Sequence, residues 1–147
     1  MLAIQLAITG LQTGALYALT AVGFSLIFGS TRIFHFAHGA TFVIAAYFFY
    51  AAFGAGWGLI PGILASALGA VAFGLVLDRL VYVPIQRHEG SFFTVFVASF
   101  GVGIAVQNVI GMIFGRGFVT VNTPLSRSVE LVPGVYVSPL AWIAIAC

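Results

Sequence analysis

Two histidines three residues apart, His35 and His38, stand with Arg32 and Gly39 inside a run from Gly10 to Tyr47 that is otherwise almost wholly apolar. A long apolar helix is expected to give way there and then resume. On a helix, that spacing puts both imidazoles on one face, which raises several chemistries. A metal site needs a third ligand, yet no Cys, Asp or Glu lies nearby and His88 belongs to a different connection. A haem needs axial ligands facing each other across a gap, which two histidines one turn apart on one helix cannot provide. A nucleophilic or acid–base site needs an orienting carboxylate, and the only acids, Asp78, Glu89 and Glu130, fall at expected helix ends or in loops. What remains is the lining of a polar cavity, with Gly39 permitting a break that exposes backbone N–H and C=O groups. Arg32, just past the first apolar stretch, is also accounted for by snorkelling to an interface.

A second polar cluster is Gln107 and Asn108, with Ser99 two turns earlier. Adjacent helical residues point about 100° apart, so one amide can line a path while the other bonds a neighbouring helix. Gln12 and Thr13 have the same two readings. Asp78 and Arg79, at the end of an apolar stretch, read as an interfacial arrangement rather than a proton relay, which wants ionisable groups deeper.

The elements that must position these residues are dictated by composition. With 62% hydrophobic residues, 5% charged residues and a mean hydropathy of +1.18, the chain cannot present a solvated surface all round. It reads as an all-α, polytopic integral membrane protein embedded in a lipid bilayer. Residues 1–31, 33–77 and 90–115 contain no Asp, Glu, Lys or Arg, and a spanning helix needs only about 20 mainly apolar residues. The opening segment has no basic flank and far exceeds the apolar core of a signal peptide, so it stays as a helix. The five arginines are scattered, leaving no basic stripe for nucleic acid. The single cysteine, Cys147, cannot form an intrachain disulfide or a thiolate cluster.

Helices are expected over residues 2–28, 36–53, 63–83 and 92–114. A glycine-rich hinge containing Pro61 should span residues 54–62, a polar connection residues 84–91, and a longer exterior loop residues 116–137. Residues 138–147 are apolar but about half the length of a span, so they read as the start of a fifth helix and the chain, residues 1–147, as one transmembrane domain truncated at its C-terminal end. The positive-inside rule places the loop at 84–91 in the cytoplasm, which with four crossings leaves the N-terminus outside; a re-entrant break at residues 32–39 changes that count. Small residues at Gly10, Gly14 and Ala18, at Ala70 and Gly74, and at Gly111 and Gly115 repeat the small-xxx-small spacing of closely packed membrane helices.

The order GLQTGALYAL from Gly10, GFSLIFG from Gly23, HFAHG from His35 and then AAY from Ala45 resembles the permease subunits of bacterial branched-chain amino-acid ABC importers. Tyr82-Val83-Pro84, Gln107-Asn108 and Phe114-Gly115 extend the resemblance along the chain, as the N-terminal half of such a subunit. Two positions depart from the family pattern: His35 stands where asparagine is most frequent, and Ala45 where glycine is usual. Permeases for urea and short-chain amides share much of the pattern.

The resemblance implies a multi-pass subunit of the bacterial inner membrane that pairs with a second, homologous permease, two cytoplasmic ATPase subunits and an extracytoplasmic substrate-binding protein. It implies no enzymatic activity and no cofactor in this chain, ATP being hydrolysed on the partners. The solute, a branched-chain amino acid, would pass His35, Phe36, His38, Gly39, Gln107 and Asn108. Phe34, Phe36 and Phe42 would brush its aliphatic side chain. Permeation of urea or an amide is one alternative. A non-transporting anchor or assembly subunit, in which the same polar groups only join helices, is the other.

Overall fold

Thirty residues without a charge wind into a single helix, α1 (Leu2–Thr31). Its hydroxyls are satisfied internally: Thr9, Thr13 and Thr20 each donate to the carbonyl four residues back, at 2.9 Å, the usual way a threonine is accommodated in an apolar helix. No residue of α1 is buried. In the computed structural model the described residues are 2–88, 90–115, 117, 119–132 and 135–146. The readings placed on Glu89, Arg116, Pro133, Gly134 and Cys147 therefore lie outside them.

Contacts divide the chain into two units, Met1–Leu26 with Asn122–Cys147, and Ile27–Val121. In the first, a short 3₁₀ turn (Pro124–Ser126) precedes an antiparallel hairpin of β1 (Val129–Val132) and β2 (Val135–Val137). Val129 pairs with Val137 and Glu130 with Tyr136, and the register is irregular between Glu130 and Val132. These strands correct the expectation of an irregular loop over 116–137. Valines and a tyrosine on both sides of a Pro-Gly dipeptide are a hairpin signal. The amide of Gln5 closes the free edge of β2, its Nε2 donating to Tyr136 O and its Oε1 accepting from Tyr136 N–H, both at 2.9 Å. Ile8 packs on the buried Val137 and Ala141. Ala141 belongs to the last helix, here termed α6 (Pro139–Ala146), which begins where a fifth helix was expected.

The second unit is built on a helical hairpin of α2 (His38–Gly54) and α3 (Leu59–Leu77). Gly56 and Gly58, with φ of 81° and 89°, supply the left-handed backbone that a four-residue connection needs. Pro61 is not in the turn, as expected, but in the first turn of α3. A proline is tolerated there because its missing N–H would have no helical acceptor. The two helices touch most closely where the Phe48 ring lies over Gly69 and the Phe49 ring over Gly62.

From Leu77 the chain continues without interruption through one wide turn of π-helix (Asp78–Tyr82) into α4 (Val83–Arg87). Val83 N–H bonds the carbonyl of Asp78, five residues back. Pro84 explains the widening, since it lacks an N–H and its ring would press on the carbonyl four residues earlier in a regular helix. After a connection closed by Gly90 N–H on Ile85 O at 2.9 Å, α5 (Phe92–Phe114) starts on Ser91, whose hydroxyl accepts Thr94 N–H at 3.3 Å.

Among the described residues, three helices are long and apolar enough to cross a bilayer: α1, the continuous stretch Leu59–Arg87, and α5. With 17 residues, α2 is shorter, about 26 Å against a hydrocarbon layer of roughly 30 Å. The large apolar side chains of all four are widely exposed, as a lipid-facing or subunit-facing surface requires. The main buried cluster, Ala37, Leu77, Tyr82 and Val95, with Ile33, Phe73 and Ile85 against it, lies where the α1–α2 break meets α3, the π-turn and α5.

Candidate substrate path at the helix break

The break is made by residues 32–37. Arg32 takes φ 57°, a left-handed conformation that a side chain with a Cβ rarely adopts. Its N–H still bonds Phe28 O at 2.9 Å. The Thr31 hydroxyl finishes α1 by donating to Ile27 O at 2.7 Å and accepting Ile33 N–H at 3.2 Å. The chain then runs non-helically until His38 N–H meets His35 O at 3.1 Å and α2 begins. Its N-cap, Ala37, offers no side-chain acceptor, so after His38 the first-turn N–H groups have no side-chain cap among the described residues.

Of the six residues expected to line a path, the structure brings the rings of His35 and His38 together, while Phe36 turns its ring to α5 and Gly39 follows in the first turn of α2. His35 is buried, and its Nδ1 shares a hydrogen bond of 2.5 Å with the Tyr82 hydroxyl. The phenol donates when the imidazole is the Nε2–H tautomer. The His38 ring lies 6.1 Å from that of His35 and edge-on to Phe42 at 5.0 Å, and its buried Nε2 has no hydrogen-bond partner among the described residues. Phe36 is exposed, its ring against Phe96 and Phe100 at 5.8 and 5.2 Å. Its backbone N–H is held at 3.2 Å by the hydroxyl of Ser99, which is fully buried. Gly39 is exposed, with nothing within 4 Å of where a Cβ would stand. Among the described residues no three of His, Cys, Asp or Glu converge.

Gln107 and Asn108 lie elsewhere on α5, about 12 Å along the helix from Ser99. Asn108 directs its amide to its own helix, donating to Ile104 O at 2.8 Å. Gln107 lines a separate cleft of about 210 Å³ with Val43, Tyr47, Ile110, Gly111 and Gly115. Of the glycines expected to support helix packing, Gly10, Gly14, Gly74 and Gly115 have no described residue from beyond their own stretch of chain within 4 Å of a built Cβ, and Gly111 lines the cleft beside Gln107. Gly115 instead terminates α5 with φ 82°. Close approach within the chain occurs at Gly62 and Gly69.

Two residues central to this arrangement were not singled out for it from sequence. Tyr82 entered only through the resemblance, and Ser99 only as a polar neighbour of Gln107. The signal for Tyr82 was Pro84, which guarantees a distorted helix two residues on. A small hydroxyl in an otherwise apolar α5 was the signal for Ser99. Together they anchor a short non-helical segment, a few polar groups and a row of aromatic rings. That arrangement suits weak, transient contact with a small amphiphilic solute better than covalent chemistry.

Over residues 6–146 the chain matches the family model described as the permease component of branched-chain amino acid transport systems. It is similar to the high-affinity branched-chain amino acid transport system permease protein LivH of Escherichia coli (strain K12), with 26% identity over 121 residues, 76% of this chain and 39% of that protein. Similarity extends to BraD of Pseudomonas aeruginosa, 28% identical over 116 residues, 73% of this chain and 37% of BraD. LivH of Salmonella typhimurium is 25% identical over 121 residues, 76% of this chain and 39% of that protein. The chain thus spans about two fifths of the length of the curated relatives it matches. No solved structure matches it. Long apolar helices, a broken helix pair with a polar centre and a family match along nearly the whole chain agree: this multi-pass membrane protein belongs to the family of branched-chain amino acid transport system permease components.

Proposed function

We propose that the chain is part of the permease of an ATP-driven importer that carries branched-chain amino acids across the bacterial inner membrane. The observation that supports this most directly is the buried polar centre at the α1–α2 break, lying in a chain whose family match runs from residue 6 to residue 146. A binding protein would deliver the zwitterion and a second, homologous permease would complete the path. Two cytoplasmic ATPase subunits would drive alternating access, with no hydrolysis on this chain. At the break, the uncapped first turn of α2 offers backbone N–H groups and a positive helix end to the carboxylate. His38 Nε2, a polar atom with no hydrogen-bond partner among the described residues, belongs to the same turn, and Phe36 and Phe42 present apolar ring surface. Contacts of this kind bind weakly, which lets a solute leave as readily as it enters.

The test is uptake of labelled leucine, urea and acetamide by cells lacking their own importers for these solutes and expressing the full reading frame with its neighbouring transporter genes. Uptake of leucine, competed by isoleucine and valine and dependent on the ATPase, is expected. Uptake of urea or acetamide in its place would move the assignment to amide permeases. A complex that assembles and moves none of the three would leave the chain a membrane anchor.

A further inference from the structure

Each hydrogen bond that holds the break against α5 has a local substitute. Ser99 Oγ accepts Phe36 N–H at 3.2 Å and lies 3.2 Å from Phe34 O and 2.8 Å from Phe96 O. A hydroxyl has one proton, so it serves either the break, at Phe34, or its own helix, at Phe96. Phe36 N–H in turn also reaches Phe34 O, at 2.9 Å, within the break itself. If the segment leaves α5, Ser99 keeps the Phe96 carbonyl and Phe36 N–H keeps the Phe34 carbonyl. The penalty for stranding a buried donor, which normally locks such contacts shut, does not arise.

The aromatic attachments of the segment separate without stranding a polar group. Phe34 meets Phe92 and Phe96 edge-on, at 6.2 and 5.6 Å, and rings that part in a bilayer exchange one apolar neighbour for another. At one end of the segment stands Arg32 in its left-handed conformation and at the other Gly39 with open space around it, two positions able to absorb a backbone rotation. Ala37, buried against Leu77, Tyr82 and Val95, stays with the core and bounds the movable part at residues 34–36, whose other anchor is the His35–Tyr82 bond; the π-turn that carries Tyr82 is itself a local departure from regular helix.

We propose that Tyr82 and Ser99 are positioning residues forming a two-point, releasable latch: they hold residues 34–36 docked in one state of the permease and free the segment in another. The transport reading above supplies only the reason for the opening; the latch itself does not depend on it.

Amide hydrogen exchange, read by mass spectrometry on the assembled transporter in lipid nanodiscs, tests this with Ser99→Ala and Tyr82→Phe. In the unaltered protein, peptides covering residues 33–38 should exchange faster than those covering 102–112 of α5. In each variant the break should exchange about tenfold faster again while α5 is unchanged. Tyr82→Phe keeps the ring, so it gives the answer where Ser99→Ala does not assemble. Leucine uptake by the variants should change in turnover with half-saturation preserved. A break that exchanges at its original rate without these hydroxyls, or opens only together with α5, overturns the latch. Because exchange needs no solute, a chain that transports nothing would still show the latch, and a working transporter could still lose it.

Discussion

Replacing Gly69 by alanine tests the hairpin that carries the site, because its effect is set by a single contact. A Cβ at this position would stand 2.6 Å from Phe48 Cγ and 2.7 Å from Cδ2. That is about 0.8 Å inside the 3.4 Å at which ordinary contact begins. The offending atom is the root of the ring, so a rotation about the Cβ–Cγ bond does not relieve it and α2 and α3 must separate. Overpacking of this kind costs about 1 to 3 kcal/mol, while exchanging glycine for alanine in a helix returns roughly 1 kcal/mol. The net expectation is a loss of up to about 2 kcal/mol. Gly74, one turn and a residue further on with no atom within 4 Å, is the control: alanine there should be neutral or stabilising by up to about 1 kcal/mol. Thermal unfolding in detergent, followed by fluorescence of the protein eluting from size exclusion, ranks the two. Phe48→Ala should rescue Gly69→Ala, so that the double variant is more stable than the sum of the single effects. A Gly69→Ala protein as stable as Gly74→Ala, with no coupling to Phe48, would refute the close approach.

Other perturbations separate stability from transport. Arg32→Gly removes a side chain from a left-handed backbone and should raise stability by about 1 to 2 kcal/mol, seen as a higher unfolding midpoint; a lower one would mean that the guanidinium contributes more than the strain. Substituting His38 by leucine removes a buried nitrogen with no hydrogen-bond partner among the described residues, a feature that costs about 1 to 3 kcal/mol. The variant should therefore be at least as stable as the parent while leucine uptake falls severalfold, and unchanged uptake at normal expression takes His38 out of the path. Gln5→Leu deletes both bonds to Tyr136, each worth about 1 kcal/mol, and should accelerate exchange of the Tyr136 amide about tenfold without affecting α5.

The number and placement of the helices were legible because a bilayer leaves sequence little freedom: uncharged runs of this length have few other structures open to them. What escaped were features decided by backbone rather than composition. Pro61 was read as a turn because proline breaks helices, whereas in a first turn it breaks nothing. The wide turn at residues 78–82 was implicit in Pro84, but hydropathy does not distinguish a π-turn from a regular one. The hairpin at residues 129–137 alternated in the right way yet was short and hidden between longer signals. At the site, the histidines announced themselves by being costly in lipid. Ser99 and Tyr82, which hold the break, are types tolerated in any membrane helix, and only their partners, 47 to 65 residues away in sequence, reveal what they do. Gln107 and Asn108 look alike on paper and differ in space, one facing a cleft and the other its own helix.

The bonds between Gln5 and Tyr136 join residues 131 positions apart, and this fixes a place for them in time. A ribosome adding 5 to 20 residues each second needs roughly 7 to 26 s to go from one to the other. Through that interval α1 can enter the bilayer, but its glutamine amide must make do with water, headgroups or the insertion machinery. Closure of the pair therefore waits until every apolar helix from α1 to α5 has been made. A quality-control factor that recognises an unsatisfied amide near the start of the chain would, by that means alone, tell stalled chains from those that have reached residue 136.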